Sequence, residues 1–481
     1  MRSRYGLDIP GYSPKSPEIL DVTSPYDGSP VAEVELLDAE GMAHAIRTAR
    51  EAFLREPHGL PGHERSAILK RLAALMNERH EELALLIARE GGKPLMDAKV
   101  EATRAVNTVL VAAEEATRIH GEEIPMQGSP AAAGRMAFTI REPIGVVAAV
   151  SAFNHPLNLI AHQVAPAVAA GCPVLIKPAL DTAVSCMVFM ELLREAGLPG
   201  ALGMAVPANN DVSELLVTSD AIGFFTFIGS ARVGWFLRSK LAPGVRCTLE
   251  HGGAAPVIVD DNADLDRALP LLLKGGYYHA GQVCVSVQRV FAAKGIQSEI
   301  VERLSDGAAA LKVGDPTAPD TEVGPLIRER EVERVHEWVE EATRAGAQCV
   351  LGGRPLENQC YASTVLADAP SDSKVMQQEI FGPVVVVNPF DTLENAVAMA
   401  NDVPWSFQAA IFTRDVDRAL IAARALKGGA VMINDHSAFR VDWMPFAGHG
   451  PSGLGVGGVK YGVDDLAQEK MIVMNVDASR G

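Results

Sequence analysis

Apolar positions recur at three- and four-residue spacing over residues 39–55, 63–90 and 95–120, which predicts amphipathic helices there and a mostly helical first quarter after an irregular start rich in Pro and Gly. Between 121 and 143 a Gly/Ser/Pro centre is flanked by two strand-like pieces, the pattern of a projecting hairpin. An arm of that kind suggests a partner subunit. From Ile144 onward short β-rich apolar runs alternate with helical stretches. The strands fall at 146–150, 173–176 and 222–228, with helices near 158–170 and up to 195. A second series follows at 256–260, 289–293, 384–389, 410–413 and 430–434. Such alternation predicts an α/β protein with parallel sheets in two successive units. Their boundary is expected near Glu250, and the piece after Gly458, too short for a domain, is expected to pack onto the arm.

The length of 481 residues suits two or three domains, and 48% hydrophobic with 21% charged residues supplies sizeable cores and excludes global disorder. A net charge of −17 opposes nucleic acid and anionic membrane as partners. No apolar run reaches the roughly 18 residues of a membrane span, and the first residues carry no apolar export segment, so a cytoplasmic protein is expected. The six cysteines, Cys172, Cys186, Cys247, Cys284, Cys349 and Cys360, never fall two or three residues apart, so neither a zinc ribbon nor a redox pair is encoded and no metal site is expected.

Three places carry candidate chemistry. An apolar strand runs into the turn Gly229-Ser230 and then a helical pattern, so backbone N–H groups at a helix N-terminus could face a phosphate; an ordinary strand-to-helix turn reads the same way. Lys177 ends a buried strand, where ligands of open α/β sheets bind, or is a solvated strand-end charge. Cys284 lies in a turn after Gly281, and Glu250 stands just before His251 and the Gly252-Gly253 step. A thiol with a carboxylate suits covalent catalysis with water activation, although a buried cysteine and an unrelated turn glutamate would leave the same trace.

Taken together, six ordered segments resemble the aldehyde dehydrogenase superfamily over about residues 20–475. They are Phe153-Asn154-His155-Pro156, Lys177-Pro178-Ala179, Gly229-Ser230 with Gly234, Leu249-Glu250-His251-Gly252-Gly253, Gly281-Gln282-Val283-Cys284 and Glu379-Ile380-Phe381-Gly382-Pro383. The resemblance implies a Rossmann-like nicotinamide-binding domain (1–120 and 144–249), an α/β catalytic domain (250–435) and a protruding β-hairpin oligomerisation arm (121–143 and 459–481), in a homodimer or homotetramer. It implies Cys284 as nucleophile, Glu250 as general base and Asn154 as oxyanion donor. Lys177, Gly229, Ser230, Gly234, Glu379 and Phe381 would hold NAD or NADP. The chemistry needs these residue types. A thiolate adds to the aldehyde carbon, an amide holds the resulting oxyanion, and a carboxylate deprotonates the water that opens the thioester.

Three departures from the family pattern stand out. Leu180 occupies a position where many NAD-preferring relatives carry Glu, Gly457 replaces a second glutamate, and Ala152-Phe153 fills the place of a common tryptophan. The segment from His436 to Met444, with Asn154-His155, is most similar to the lactaldehyde and phosphonoacetaldehyde branch. There the residues matching Arg104, His155 and Arg440 can line an anion or hydroxyl pocket. Val283 stands where phosphonoacetaldehyde dehydrogenases have arginine, which favours a small hydroxylated or singly charged aldehyde over a dianionic phosphonate. A Cys–Glu hydrolase working without a dinucleotide, and a catalytically silent binding protein of the same fold, are the competing readings.

Overall fold

In the computed structural model, which describes residues 3–475, the two α/β series form two separate open sheets. The first has six strands in the order Gly453–Leu454, Arg246–Glu250, Ile222–Ile228, Val146–Val150, Val174–Lys177 and Gly203–Ala205. All neighbours are parallel except the short Gly453–Leu454, which runs antiparallel to Arg246–Glu250. Val146–Val150 and Val174–Lys177 are nearly continuous apolar runs, as strands covered by helices on both faces must be. From Val146–Val150 the chain winds outward through Val174–Lys177 to Gly203–Ala205, then returns to place Ile222–Ile228 on the opposite side. A cleft therefore opens where Val150 and Ile228 end, the position at which such sheets bind ligands.

The second sheet has seven strands, in the order Gln348–Leu351, Thr364–Ala367, Val384–Phe390, Arg289–Ala293, Pro256–Val259, Gln408–Phe412 and Ala430–Ile433. Its pairs are parallel except for the edge strand Gln348–Leu351. The apolar cores under the two sheets are separate.

Several elements differ from the sequence reading. The irregular start holds a three-stranded sheet of Arg4–Tyr5, Pro30–Leu36 and Glu18–Thr23, which Gly and Pro between the strands had obscured. The single helix expected over 63–90 is two, Gly62–Glu78 and His80–Gly91. Apolar positions continue across the junction, so periodicity alone does not reveal it. In the arm, Glu123–Ile124 and Arg135–Pro143 pair antiparallel, and Ala467–Asn475 lies along the other side of Arg135–Pro143. The tail thus lies along the arm of its own chain. Residues 459–466, grouped above with the arm, are the helix Val459–Leu466, which packs on the helices Leu95–Glu115 and Asn158–Ala170. Residues 1–2 of the first domain and 476–481 of the arm lie outside the described residues. Among the described residues no helix is long and apolar enough to cross a membrane, and no group of His, Cys, Asp and Glu could hold a metal ion.

Candidate active site

The C-terminal ends of the first sheet and the loops of the second enclose a cavity of about 1250 Å³. Cys284, Glu250, Asn154, Lys177, Gly229, Ser230, Glu379, Phe381, Arg104, His155 and Arg440 all border it. Eleven side chains or turns spread over most of the sequence thus meet at one surface. Gly234 does not border it. A Cβ there would overlap His251 Cε1 and stand 2.7 Å from its Nε2, so this glycine lets the helix Ala231–Arg238 pack against His251.

The Cys284 loop is held from several sides. The Gln282 side chain donates to the carbonyls of His279 (3.3 Å) and Pro325 (3.2 Å) and accepts from Ile327 N–H at 3.0 Å. Ser437 Oγ donates to Val285 O at 2.8 Å. Upstream, His279 and Ala280 take φ of 48° and 55°, a left-handed backbone that non-glycine residues rarely adopt. Asn154 Nδ2 donates to Gln282 O at 3.0 Å. One amide hydrogen is thereby anchored beside the nucleophile's loop, leaving the second for an oxyanion.

Burial raises the Cys284 thiol well above the ordinary range, Glu379 and Glu250 push it further, and Arg440 opposes them. Glu250, at the end of Arg246–Glu250, is also raised by burial and opposed by Arg440. A Cβ on Gly457 would overlap Glu250 Oε1 and stand 2.9 Å from its Cδ and 3.0 Å from Phe446 O. The Glu250 carboxylate thus fills the space that a side chain at 457 would take.

The groups that could hold a dinucleotide are disposed along the rest of the cavity. Lys177 is 8% exposed, and burial lowers its ammonium to about 8 against the pull of Asp181. Asp181 is itself tied to Arg328, Nε to Oδ1 at 2.8 Å with Nη2 on the other oxygen. Gly229 and Ser230 lead into Ala231–Arg238, and His251 Nδ1 lies 2.9 Å from Gly229 O. Glu379 Oε1 is buried without a partner, and burial raises its carboxyl to about 8. The face of Phe381 is braced by Phe153, ring centroids 5.9 Å apart. A buried amine at a strand end, a glycine turn at a helix N-terminus and an orphaned carboxyl oxygen all suit a nucleotide with ribose hydroxyls and phosphates.

The three candidate substrate residues differ in how free they are. Arg104 makes a forked pair with Asp442, Nε to Oδ2 at 3.2 Å and Nη2 to Oδ1 at 2.8 Å. Asp442 also meets His162 Nε2 at 2.9 Å and Asn158 Nδ2 at 3.1 Å. Arg104 thus contributes a neutralised edge. His155 has Nδ1 2.8 Å from Lys93 Nζ. Arg440 lies deep in the cavity wall with its guanidinium carbon 3.5 Å from the centroid of the Phe446 ring. Its Nε is buried without a partner, and no carboxylate among the described residues forms an ion pair with it.

Sequence reasoning missed Lys93, Glu101, Asp442 and Gln282. For Glu101 a signal existed, since Asp97, Glu101, Arg104 and Thr108 follow one another at four, three and four residues on a helix otherwise rich in alanine. That spacing puts polar groups in a stripe facing inward.

The family model described as "Aldehyde dehydrogenase family" matches residues 12–472. A 3-sulfolactaldehyde dehydrogenase of Priestia megaterium is 38% identical over 475 residues, 98% of each chain. Among solved structures, aldehyde dehydrogenase 21 from Physcomitrella patens, in complex with the reaction product succinate, superposes with a TM-score of 0.96 at 34% identity, covering 99% of this chain and 100% of that one. A glyceraldehyde-3-phosphate dehydrogenase from Methanocaldococcus jannaschii, complexed with NADP, gives 0.91 at 33% identity, covering 96% and 100%.

Proposed function

Because this chain belongs to the aldehyde dehydrogenase family, we propose that it oxidises a short aldehyde bearing a hydroxyl or a single negative charge to the carboxylic acid, with NAD or NADP as oxidant. The observation that carries the substrate class is Arg440. A half-buried guanidinium packed on Phe446, forming no ion pair among the described residues and bordering the cavity that holds Cys284 and Glu250, is a cation placed to meet an anionic group of the substrate. Similarity to an enzyme named for 3-sulfolactaldehyde, hydroxylated and anionic, and to one crystallised with succinate supports the same class.

The reaction follows from the residues. Solvent water takes the Cys284 thiol proton, and the thiolate sulfur adds to the carbonyl carbon. The free N–H of Asn154 and the backbone N–H of Cys284 hold the oxyanion of the thiohemiacetal. When bound, the nicotinamide supplies the oxidant that leaves a thioester on Cys284. Lys177 and the Gly229-Ser230 turn hold the nucleotide end, with Glu379 and Phe381 toward the reacting end. Glu250, whose carboxylate burial makes a stronger base, takes a proton from water as the oxygen attacks the thioester. The acid departs and the thiol is restored. Leu180 offers the ribose no hydrogen bond, and Arg328 neutralises Asp181, so neither repels a 2′-phosphate and both cofactors are used.

The arm presents Met471 and Val473 on one face and the paired Met136 and Met474 on the other to solvent, apolar surface suited to association with a second copy. Initial rates at 340 nm with 3-sulfolactaldehyde, lactaldehyde and propanal, each with NAD and NADP, test the reading. Hydroxylated and anionic aldehydes should lead in kcat/KM. A preference for propanal would overturn the substrate class, and ester hydrolysis without any dinucleotide-dependent oxidation would overturn the reaction.

A further inference from the structure

Beneath the substrate end of the cavity lies a fully buried group of charges that the reaction does not use. Glu101, on the helix Leu95–Glu115, has no exposure, and its Oε1 accepts from Leu157 N–H at 2.9 Å and Asn158 N–H at 3.1 Å. Its Oε2 takes the Nζ of Lys93, also without exposure. With two backbone donors on one oxygen and an amine on the other, the carboxyl is ionised. Burial alone would raise it, but Lys93 holds it well below the ordinary range. A buried carboxylate requires a counter-charge, and Lys93 is the cation in contact with it. Lys93 is therefore an ammonium.

An ammonium has hydrogens to give and no lone pair. Lys93 Nζ lies 2.8 Å from His155 Nδ1, nearer than the 3.5 Å from that nitrogen to Glu101 Oε2. Nδ1 must then accept, so a neutral imidazole carries its single proton on Nε2. The ring plane is set by Tyr278, stacked at 6.0 Å between centroids, and by His279 at 6.4 Å. Burial and the Lys93 charge lower His155 to about 4, keeping it neutral in ordinary buffers.

We propose that Lys93, held by Glu101, is a positioning residue that fixes His155 as the Nε2–H tautomer, so that the imidazole offers a hydrogen-bond donor to the hydroxyl or acidic oxygen of the substrate. This rests on the substrate class proposed above and on His155 bordering the same cavity as Arg440 and Cys284. It adds a direction to that contact. The site selects for an acceptor oxygen, and Lys93 makes that selection without touching the substrate.

The test is a long-range proton–nitrogen spectrum of the full-length enzyme labelled with ¹⁵N-histidine at pH 7, the His155 signals being those absent from His155→Gln. An unprotonated Nδ1 with a protonated Nε2 is expected. The Nδ1–H tautomer or an imidazolium would overturn the proposal. In the double variant Lys93→Met/Glu101→Gln, which strands no charge, a population protonated on Nδ1 should appear. If that folded variant keeps the pure Nε2–H form, Lys93 is not the cause.

Kinetics separate this from the reading beneath it. The ratio of kcat/KM for 3-sulfolactaldehyde over propanal should fall about tenfold in His155→Asn, whose amide mimics Nδ1, and less than about threefold in His155→Gln, whose amide reaches the Nε2 position. Equal ratios in both variants and wild type, with the tautomer as expected, would show that His155 does not contact the substrate. A larger loss in His155→Gln than in His155→Asn would show that the donor is on the wrong nitrogen.

Discussion

Gly457→Ala should slow turnover while sparing the first oxidation. The new methyl would overlap Glu250 Oε1 and lie 2.9 Å from Cδ, where ordinary contact begins near 3.4 Å. Cδ must therefore retreat by about half an ångström and Oε1 by more, roughly 1 Å in all. The opposite wall is backbone, Phe446 O at 3.0 Å, so the side chain of Glu250 gives way first and folding is affected little. A misplacement of about 1 Å in a reacting group can cost about 10²-fold, within the 10²–10⁴-fold that a positioned base contributes. Steady-state kcat should drop by about 10²-fold. The base acts only after the oxidation, so rapid mixing at 340 nm should still show a burst of reduced cofactor near one equivalent per active site. Unchanged kcat would mean that Glu250 does not need its present position. A burst lost together with steady-state turnover would mean that Glu250 acts on Cys284 before the aldehyde is oxidised.

Cys284→Ala should abolish oxidation yet retain dinucleotide binding by fluorescence titration; more than trace turnover would remove Cys284 from the mechanism. Arg440→Ala should cost about 10- to 150-fold in kcat/KM on anionic aldehydes, from the 1.5–3 kcal/mol of a charged hydrogen bond, and little on propanal; equal losses would make Arg440 structural. Glu90, fully buried and accepting from Val184 and Ser185 N–H, is pushed by burial from 4.5 up to about 8. The folded state then binds the extra proton between those values, so stability should fall as pH rises from about 4.5 to 8, and Tm against pH should flatten over that window in Glu90→Gln. Met471→Lys, on the exposed face of the arm, should shift light scattering toward smaller species; an unchanged mass would place the subunit contact elsewhere.

Cys284 and Glu250 could be singled out because each stands at the end of a strand or in a turn that local patterning marks, whereas Asn154 came only with the family resemblance; all three border one cavity. Lys177 and the Gly229 turn were legible from their place after apolar runs. Pairings across long separations left no local trace. Arg104 could be singled out, but its partner Asp442 lies 338 residues away, and nothing in the sequence said that the pair would satisfy itself. Gly234 sat in a motif that suggests phosphate contact, and the close approach of its helix to His251 left no local trace. The Lys93–Glu101–His155 group was hidden for another reason. Charged residues on an early helix normally face water, and only the alanine-rich neighbours of Glu101 hinted that its side was covered.

The last residues of the chain complete structures begun by the first. Gly453–Leu454 edges the first sheet beside Arg246–Glu250, Val459–Leu466 covers Leu95–Glu115 and Asn158–Ala170, and Ala467–Asn475 pairs with Arg135–Pro143 over nine residue pairs. During synthesis these surfaces emerge hundreds of residues before their partners. The N-terminal lobe therefore waits, partly uncovered, until residues 453–475 have emerged, and its closure is a slow, non-local step. A ribosome stalled anywhere before residue 453 would hold a lobe with an open sheet edge, a bare helix face and an unpaired arm, the state most exposed to aggregation and most in need of a chaperone.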